Sequence, residues 1–579
     1  MSASLDILLR SGRLRRADAA LGAWVVRAFP NAAAEVALAA ALAARAVGDG
    51  HSALELAHAH EWFEQLDGTG KPPELLDASA WCEVLQHSPA VHAHAADAPS
   101  TLRPLVLDAQ HRIYLRRYFE YERQLAHALT TRVLSACAPP PAPRPSSLAS
   151  GLDPEQQRAI DIALSHHFAL ITGGPGSGKT FSVAHMLAAL MHEGLACGTP
   201  PRIALAAPTG KAAARLGESM RAQLARMDLP DNVAAALPRD ASTLHSLLGV
   251  SPWRMRPRFE HGSPLPFDVV VVDEVSMVDL PLMAKLVRAV PDAARLILLG
   301  DPQQLSAVEA GNVLPALVEA ASAPPFVACH VALSHSHRFG TDSVLGKLAQ
   351  AIVAGTADAA LAILRAGEGD VGLVEDDAQA TLVDTACEGY APVFAAHDPA
   401  AALAAARGFR VLTALRHGPH GCLALDRAIT SRLKRARGLR ADADWWQGRL
   451  VLVTANRPEL GLYNGDAGVV WPGAGGALQV WFEGAEGPRA FAPTALPPHE
   501  GAFALTVHKA QGSEFERVTL ASGPDSPVLT RELLYTGFTR ARTSIVVYGN
   551  ADTLRAGIDR RTLRMTGLAD RLREAARGT

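Results

Sequence analysis

Apolar residues change their spacing along the chain, and this change divides it into regions. Between residues 1 and 110 they recur at helical spacing, as in 21–28 and 36–46, which predicts a mainly helical region. The segment 103–129 is expected to form a short hairpin followed by a helix. We therefore expect a mainly helical N-terminal domain over residues 1–136.

Five prolines fall within the short segment CAPPPAPRPSS at 137–147. Proline fixes φ and lacks a backbone donor, so such a run favours a stiff, extended chain over helix or sheet. We expect a linker there, and a domain boundary between the N-terminal domain and the residues that follow.

From residue 151 onward, strand-like apolar runs alternate with helical stretches. Such alternation is typical of βαβ units built around buried parallel sheets, so the expected fold class is α/β. We expect two such units, over residues 148–333 and 334–579. The expected strands are 168–172, 202–208, 267–274 and 295–301 in the first unit, and 409–415, 503–512, 517–522 and 544–549 in the second.

Residues 446–500 interrupt the second unit with a different pattern. Glycine and proline punctuate short apolar runs in GRLVLVTANRPELGLYNGDAGVVWPG and in the residues after it. Short strands separated by turn residues favour antiparallel pairing. We therefore expect a small SH3-like β-barrel to be inserted here.

Composition excludes several classes of protein. Hydrophobic residues make up 49% and charged residues 20% of the 579 residues, which is too apolar for a wholly disordered chain. No run of about 20 apolar residues occurs that could span a bilayer. Asp6 and Arg10 interrupt the N-terminal stretch where a signal peptide needs apolar residues. We expect a soluble, cytoplasmic protein.

Charge and cysteine content say less about function. The net charge is 55 − 58 = −3, which neither indicates nor excludes a nucleic-acid partner, because a large protein needs only a locally basic track. The six cysteines form no CxxC pair and no Cys/His cluster. Their spacing therefore gives no support for a zinc site, an iron–sulfur site or a disulfide framework.

The strongest chemical signal is GGPGSGKT at 173–180, which fits G-x-x-x-x-G-K-[ST] between an expected strand and an expected helix. Glycines let the backbone fold around a phosphate with its N–H groups pointing inward, and the helix N-terminus adds positive potential. We expect Lys179 to reach the β- and γ-phosphates of ATP and the Thr180 hydroxyl to ligate Mg²⁺. The nucleotide-binding residues expected here are Gly173, Gly174, Pro175, Gly176, Ser177, Gly178, Lys179, Thr180 and Phe181.

Four valines at 269–272 predict a buried strand that ends in Asp273 and Glu274. Next to a phosphate loop, carboxylates at such a strand end are suited to metal binding and proton transfer. We expect Asp273 to hold Mg²⁺. We expect Glu274 to orient and deprotonate the attacking water, which means hydrolysis and not transfer to a bound acceptor.

With these two sites in place, the chain resembles the superfamily 1 helicases, because further segments match that family's motifs in order. The resemblance implies two RecA-like P-loop units that clamp one ATP and convert its hydrolysis into movement along a DNA strand. The matching segments are LDPEQQRAI (152–160), APTGKAAARL (207–216), TLHSLLG (243–249), GDPQQLSAVEAG (300–311), SHSHRF (334–339), LTVHKAQGSEF (505–515) and LLYTGFTRAR (533–542).

The resemblance assigns roles to individual residues in these segments. Gln156 stands in the position that reads the adenine edge, and Gln304 in the position that senses the γ-phosphate. Arg338 and Arg540 stand in the positions of arginine fingers, which stabilise charge in the transition state. His337 departs from the family, which usually has tyrosine there, so an altered contact with the base is expected.

The resemblance also places single-stranded DNA across both units, where backbone N–H groups and small hydroxyls suit phosphates without reading sequence. A short pin insertion is expected at about 251–266. Two basic clusters, at 254–258 and 432–440, are either part of the DNA track or solvated charged faces. The expected DNA contacts are Pro208, Thr209, Lys211, Thr243 and His245 in the first unit and Thr506, His508 and Lys509 in the second.

Simpler roles stay open for several of these residues. Arg338 is also compatible with a surface ion pair, and Gln156 with a solvated position at the start of a helix. His245 and His508 are also compatible with structural histidines.

Within superfamily 1, the segments VDEVSM, GDPQQL and TVHKAQG and the insertion before 505 resemble the RecD branch of 5′→3′ helicases. Residues 39–56 and 103–129 resemble the N-terminal domain with which RecD, the alpha subunit of the RecBCD helicase-nuclease (exodeoxyribonuclease V), docks on the gamma subunit. The resemblance implies beta (RecB) and gamma (RecC) partners at duplex DNA ends. It also implies a role in double-strand-break repair by recombination and in the degradation of linear DNA.

Other functions stay open at this stage. The chain carries no recognisable nuclease constellation, so the cutting site of such a complex is expected on another subunit. One alternative is a stand-alone RecD-like 5′→3′ helicase without nuclease partners. Another is a DNA-binding scaffold whose ATPase no longer matters, but the presence of Lys179, Glu274 and Arg540 favours an active ATPase.

Overall fold

A computed structural model describes residues 3–66, 68–69, 75–93, 103–135, 151–251, 254, 256–338, 343–375, 379–484 and 487–578. The proline-rich linker expected at 137–147 lies outside the described residues, as does part of the expected pin. Four β-sheets and the helices around them form the described part of the chain. Within these ranges, no helix is long and apolar enough to cross a membrane.

The N-terminal region combines helices with a small four-stranded sheet, which the helical spacing of its apolar residues did not predict. Its elements are α1 (Ala3–Arg10), α2 (Arg16–Ala28), α3 (Ala34–Gly48), β1 (Leu54–Glu55), α4 (Ala59–Glu64), α5 (Ala78–Gln86), β2 (Val91–Ala93), β3 (Leu105–Leu107), β4 (Arg112–Leu115) and α6 (Arg116–Leu134). The strands pair in the order β1-β4-β3-β2, and the expected hairpin is the antiparallel pair β3–β4. The alanine-rich helix α3 is buried along most of its length because it packs against α2, α5 and this sheet.

The first α/β unit is built on a six-stranded parallel sheet with the order β10-β5-β9-β8-β6-β7. Its elements are α7 (Pro154–Ser165), β5 (Phe168–Gly173), α8 (Lys179–Ala196), β6 (Ile203–Ala207), α9 (Gly210–Leu224), α10 (Asp231–Ala236), β7 (Ser242–Thr243), α11 (Leu244–Leu247), β8 (Val269–Val272), α12 (Leu280–Ala289), β9 (Arg295–Gly300), α13 (Val313–Ala320) and β10 (His330–Leu333). All four valines of β8 are buried because β9 and β6 flank this strand and helices cover both faces. The four strands expected here are confirmed.

The second α/β unit contains a five-stranded parallel sheet with the order β11-β20-β19-β12-β18 and a second, antiparallel sheet. Its elements are α14 (Val344–Ala354), α15 (Ala357–Ala366), β11 (Val371–Val374), α16 (Gln379–Gly389), α17 (Ala391–Ala395), α18 (Pro399–Gly408), β12 (Phe409–Thr413), α19 (Cys422–Ala436), β13 (Leu450–Val453), β14 (Ala467–Pro472), β15 (Leu478–Phe482), β16 (Arg489–Phe491), β17 (His499–Gly501), β18 (Ala504–Thr506), β19 (Phe515–Ala521), α20 (Arg531–Phe538), β20 (Ala541–Tyr548), α21 (Ala551–Asp559) and α22 (Leu568–Arg577). The strand expected at 503–512 is shorter than predicted, because the chain turns into a 3₁₀ helix at His508–Ala510.

The antiparallel sheet lies between α19 and β18 in the chain, within the range expected for an insertion. Its strands pair in the order β16-β15-β14-β13-β17. Val451, Val470 and Phe482 form part of its own small apolar core. The insertion has this small core on one face, while Leu450, Leu452 and Val469 on its other face pack into the apolar core of the second unit.

Helices α6 and α22 complete the core of the first α/β unit, although α6 was expected to belong to the N-terminal domain. Leu129 of α6 and Leu572 of α22 lie in the same apolar cluster as Val270 of β8. The buried Arg132 of α6 donates to the main-chain oxygen of Val290 at 2.6 Å. The proline-rich segment was expected to mark a domain boundary, but α6, which precedes it, packs in the core of the unit that follows it. Local sequence carries no signal for such long-range packing.

Candidate functional site

A cavity of about 500 Å³ lies between the two α/β units, with residues of both in its wall. Ligand sites of parallel sheets lie beyond the carboxyl ends of the strands, and the phosphate loop follows β5 in this way as Asp273 follows β8. All residues predicted for the nucleotide site line this cavity except Gly173 and Gly174. They are Gln156, Pro175, Gly176, Ser177, Gly178, Lys179, Thr180, Phe181, Asp273, Glu274, Gln304, Arg338 and Arg540, and His337 lies beside them.

The phosphate loop depends on glycine at two positions. Gly176 has φ 75° and Gly178 has φ 82°, in the left-handed region that favours glycine. A Cβ at Gly176 would overlap Arg338, and a Cβ at Gly178 would overlap Gln156. Glycine is therefore needed here both for the backbone conformation and for the close approach of neighbouring segments.

The groups of the loop fit the phosphates of a nucleotide. The Lys179 ammonium donates to the main-chain oxygens of Gly173 and Gly174 at 2.6 and 3.0 Å. The Ser177 hydroxyl is buried and has no hydrogen-bond partner among the described residues. A phosphate group would supply acceptors for both, at the N-terminus of α8 where the helix dipole favours negative charge.

Two carboxylates stand opposite the loop. The Asp273 carboxylate accepts the N–H of Glu274 at 2.8 Å. Burial raises the pKa of Asp273 to about 6, the Glu274 charge adds to this, and Lys179 opposes it. Glu274 has φ 54°, a conformation uncommon outside glycine that clusters at functional sites. Hard oxygen ligands such as Asp273 and Thr180 suit Mg²⁺.

Gln304 is held by a carboxylate that the sequence analysis did not single out. Asp301 follows β9, is buried, and accepts hydrogen bonds from the Gln304 amide at 3.1 Å and from the Tyr535 hydroxyl at 3.0 Å. Burial raises the pKa of Asp301, and Lys179 lowers it. Since Tyr535 lies on α20, this pair of bonds links Gln304 to the second unit.

Glu514 gathers three arginines around one carboxylate. Arg338 donates to it at 2.7 Å, Arg215 at 2.5 Å and Arg542 at 3.2 Å. Burial alone would raise the pKa of Glu514, but Arg215 and Arg338 lower it to about 2. Arg215 belongs to α9 of the first unit, so the Arg215–Glu514 ion pair crosses the cleft. The ion pair of Arg338 therefore lies within the cleft and not on an open surface.

The second predicted finger, Arg540, is buried beside the same cavity. Its guanidinium donates to the main-chain oxygens of Thr536 at 3.1 Å and Ser513 at 3.2 Å. Burial lowers the pKa of Arg540, and the charges of Glu274 and Glu514 oppose this. The structure thus brings both predicted fingers to the cavity that contains Lys179.

Gln156 and His337 contact each other next to the phosphate loop. The Gln156 amide nitrogen lies 3.1 Å from Nε2 of His337, and its oxygen accepts the N–H of Asp153 at 3.2 Å, which caps α7. His337 in turn donates its main-chain N–H to Gly176 at 2.8 Å. Gln156 is a helix-start residue, as the simpler interpretation had it, but it is buried and not solvated. Adenine recognition would require its amide to exchange these partners.

The predicted DNA contacts lie at strand ends, where their hydroxyls organise the backbone. The Thr209 and Thr243 hydroxyls cap the starts of α9 and α11 at 3.2 and 3.1 Å. Thr209 follows β6 after Pro208, and Thr243 ends the neighbouring parallel strand β7. Thr506 ends β18 and accepts the N–H of Lys509 at 3.3 Å. His245, by contrast, is exposed on α11.

Both predicted DNA-contact lysines are tied to the antiparallel insertion. The Lys211 ammonium donates to the main-chain oxygen of Gly465 at 3.4 Å, and burial lowers its pKa to about 8, with a further contribution from Arg410. Lys509 forms an ion pair with Glu500 of β17. Contact of either lysine with a phosphate would therefore replace a bond to this insertion.

The basic cluster at 432–440 is largely engaged within the second unit. Arg432 and Arg440 pair with Asp384 and Asp442 at 2.8 and 2.7 Å, and the Arg437 guanidinium stacks over an aromatic ring at 3.4 Å. These contacts favour the interpretation as a solvated charged face. In the expected pin, an isolated antiparallel bridge joins Glu260 and Ser263, while Trp253 lies outside the described residues.

Four further residues line or support the cavity without having been assigned a role from the sequence. Asp301 follows a buried strand as Asp273 does, so the strand-end rule applied to β9 would have found it. Tyr535 lies in a segment already matched to the helicases. Arg215 and Glu514 meet only when the chain folds, and the spacing of residues gives no signal for that pair.

Three family models match successive parts of the chain. The RecBCD enzyme subunit RecD N-terminal domain matches residues 10–114, the AAA domain matches 156–310, and the UvrD-like helicase C-terminal domain matches 501–548. A crystal structure of Pif1 helicase from Bacteroides in complex with ADP-AlF3 and ssDNA matches 68% of this chain and 92% of its own, at 17% identity and a TM-score of 0.39.

Relatives in other bacteria match over greater lengths. The ATP-dependent RecD2 DNA helicase of Deinococcus radiodurans is 32% identical over 82% of this chain and 61% of its own length. The RecBCD enzyme subunit RecD of Haemophilus influenzae is 35% identical over 72% of each chain. The RecBCD enzyme subunit RecD of Mycobacterium tuberculosis is 42% identical over 552 residues, which cover 94% of this chain and 92% of the relative. With this identity over nearly the whole of both chains, the chain belongs to the RecD family of RecBCD enzyme subunits.

Proposed function

We propose that the chain is an ATP-dependent 5′→3′ single-stranded-DNA translocase and helicase, acting as the alpha (RecD) subunit of a RecBCD helicase-nuclease. The observation that carries this proposal is one cavity that gathers Lys179 and Glu274 of the first unit with Arg540 of the second. A nucleotide site shared by two units responds to their relative movement, so hydrolysis in it can drive stepping. The family membership supports the same assignment.

In the proposed reaction, the side chains of the cavity bind and polarise the phosphates. Lys179 holds the β- and γ-phosphates, and Glu274 takes the proton of the attacking water on its carboxylate. Thr180 and Asp273 would hold Mg²⁺, which neutralises developing phosphate charge when bound. Arg338 reaches the γ-phosphate when it exchanges its bond to Glu514 for one to the nucleotide.

The proposed DNA path crosses the strand ends of both units. Backbone N–H groups beside Thr209, Thr243 and Thr506 can bind phosphates without reading sequence. We propose that the antiparallel sheet is an SH3-like barrel bordering this path, because Lys211 of the first unit contacts its Gly465.

The direction of movement, 5′→3′, is proposed from the helicase resemblance. The proposed divisions of the chain are 1–136, a linker at 137–147, 148–333 and 334–579.

RecB and RecC are the proposed protein partners, with the N-terminal region as the docking part. The match of residues 10–114 to the RecD N-terminal domain supports this. Ile7, Trp24 and Val26 on α1 and α2 are large apolar side chains with 40–48% of their surface exposed. Exposed large apolar side chains of this kind can contribute to a surface that binds another subunit.

Substitution of Lys179 tests the proposed motor. Lys179→Gln is expected to abolish ATP hydrolysis and unwinding, because the phosphates lose their main cationic contact, while co-purification with partner subunits persists. The exposed Lys347 on α14 provides the matched control, Lys347→Gln. Full ATPase activity in Lys179→Gln would contradict the site.

The partner assignment is tested by affinity purification from native extract with mass identification. Co-purification of helicase-nuclease subunits of the RecB and RecC type is expected. Recovery of the chain alone, with 5′→3′ helicase activity, would instead support a stand-alone helicase.

A further inference from the structure

The loop at 301–311 carries Gln304 and is held from two sides. On one side it contacts the second unit: the Leu305 N–H donates to the Thr536 hydroxyl at 2.8 Å, and the Gln511 amide donates to the Leu305 oxygen at 3.1 Å. Thr536 lies in the same segment of the chain as Arg540, and Gln511 lies in the same segment as Glu514. This side of the loop can therefore follow movements of the second unit.

On the other side the same loop contacts the N-terminal region. The Gly311 N–H donates to the main-chain oxygen of Gly50 at 3.0 Å. The Arg564 guanidinium bridges the two, donating to the oxygen of Ala307 at 3.2 Å and to the oxygen of Asp49 at 2.9 Å. Arg564 thus joins the loop to the turn that follows α3, although it lies far away in the chain.

The bridge is built closely around Arg564. Gly50 has φ 93°, and a Cβ there would overlap the Arg564 guanidinium. The next residue, Met565, is fixed by main-chain bonds to the N-terminal region: its N–H donates to Nδ1 of His51 at 2.9 Å, and its oxygen accepts the N–H of Ser52 at 3.0 Å. These bonds hold the Arg564 backbone in place.

The loop also connects to a residue expected to contact DNA, because Gln511, which donates to Leu305, directly follows the 3₁₀ turn that carries His508. Burial lowers the pKa of His508, and the charge of Arg564 lowers it further. Arg564 therefore contacts the N-terminal region and the loop that holds Gln304, and this loop contacts the segment next to His508.

We propose that Arg564 is a positioning residue that fixes the 301–311 loop to the N-terminal region and thereby couples DNA binding to ATP hydrolysis. Gln304 can transmit a change at the DNA-facing turn only if one side of its loop is held in place. The contacts with the N-terminal region hold that side. Because that region is the proposed docking part, a bound partner subunit would set the strength of this coupling. This inference rests on the proposed function.

Two pairs of variants test the inference in the full-length chain, purified with any subunits that accompany it. Arg564→Gln removes the bridging charge, and the exposed Arg561 provides the control Arg561→Gln on the same segment. Gly50→Ala keeps Arg564 but displaces its guanidinium, because the added Cβ would overlap it. Gly12→Ala is its control, because Gly12 has a similar φ of 83° and nothing within 4 Å of the added Cβ.

The readouts are kcat and KM for ATP with and without oligothymidine, together with the melting temperature. Arg564→Gln and Gly50→Ala are expected to reduce the DNA-stimulated kcat about tenfold, which corresponds to loss of one charge-assisted positioning contact. KM for ATP should stay within about twofold of the wild type, since the phosphate loop is untouched. Arg561→Gln and Gly12→Ala should behave as wild type.

Two results would overturn the inference. One is wild-type stimulation by oligothymidine in either folded bridge variant. The other is an equal loss in Gly12→Ala and Gly50→Ala, which would assign the effect to backbone strain. If Arg564→Gln shows no melting transition and is therefore not folded, the comparison of Gly50→Ala with Gly12→Ala tests the role of Arg564. A wild-type chain without DNA-stimulated ATPase would count against the proposed function itself.

Discussion

The guanidinium of Arg338 donates to the Glu514 carboxylate at 2.7 Å, inside the cavity that also contains the phosphate loop. The same carboxylate binds Arg215 across the cleft at 2.5 Å. Glu514 therefore holds a proposed arginine finger near its place of action and links the two units at once.

Removing the Glu514 charge should loosen this arrangement. Glu514→Gln leaves Arg215 and Arg338 without their shared counter-charge, while Arg542 keeps its ion pair with Glu516. We expect a loss of about 2–4 kcal/mol in stability and at least a tenfold fall in ATPase kcat, measured by thermal melting and steady-state kinetics. Glu516→Gln is the control, because Glu516 is half exposed and pairs only with Arg542 in the described structure; about 0.5 kcal/mol or less is expected. Equal effects of the two variants would argue against the role of Glu514.

Glu274 is expected to act in hydrolysis and not in binding. Glu274→Gln should lower kcat by about 10²–10⁴-fold, because the attacking water loses its base. Affinity for an ATP analogue and for single-stranded DNA should stay close to wild type, as measured by fluorescence titration. Glu218→Gln on the exposed face of α9 provides a control. A normal turnover number in Glu274→Gln would exclude the assignment.

His51 should make the junction with the C-terminal segment sensitive to acid. Burial, and to a lesser extent the charge of Arg564, lowers the pKa of His51 to about 4, below its usual 6.5. The neutral ring accepts the Met565 N–H at 2.9 Å. The unfolded chain binds a proton more readily, so this contribution is complete above pH 6.5 and is lost as pH falls toward 4. Between pH 7 and pH 5 we expect a loss of about 1–2 kcal/mol.

Thermal melting of wild type and His51→Asn at both pH values measures this contribution. Asparagine keeps an acceptor near the position of Nδ1 but does not titrate. The variant should therefore lose less stability between pH 7 and pH 5 than the wild type does. Identical losses would show that His51 is not the responsible group.

Lys211 should give DNA binding a dependence on alkaline pH. Burial lowers its pKa to about 8, so the ammonium is present at pH 7 and largely lost at pH 9. Affinity for oligothymidine should fall over this range, and the salt dependence should lose about one phosphate contact. Lys211→Gln should abolish the difference between the two pH values, as fluorescence anisotropy would measure. A variant with the same pH dependence as wild type would exclude Lys211 from the DNA path.

The sequence predicted the parts of the site that lie within short segments. The glycines of the phosphate loop, the strand leading to Asp273 and the positions of Arg338 and Arg540 all follow from local pattern or from resemblance, and the structure brings them to one cavity. The Arg215–Glu514 ion pair could not be predicted, because its two members are brought together only by packing of the units.

The fold was predicted less well where packing is long-range. Two strands of the N-terminal sheet, β3 and β4, were expected as a hairpin, but β1 and β2 were missed because they have two and three residues, too few for an alternating pattern. The placement of α6 in the core of the first unit was missed because the proline-rich segment separates them along the chain. Arg564 carried no signal at all, since both of its bonds reach main-chain oxygens of distant segments.

Helix α22 packs beside α6 on the first unit, although the first unit and nearly all of the second lie between these two helices in the chain. During synthesis, the ribosome must therefore finish the second unit before α22 can cover the apolar residues around Leu129. Until then the nascent first unit exposes apolar surface that favours aggregation. Binding by a chaperone or by a partner subunit would protect the chain most at this stage. A chain that ends before α22 would leave these apolar residues permanently exposed.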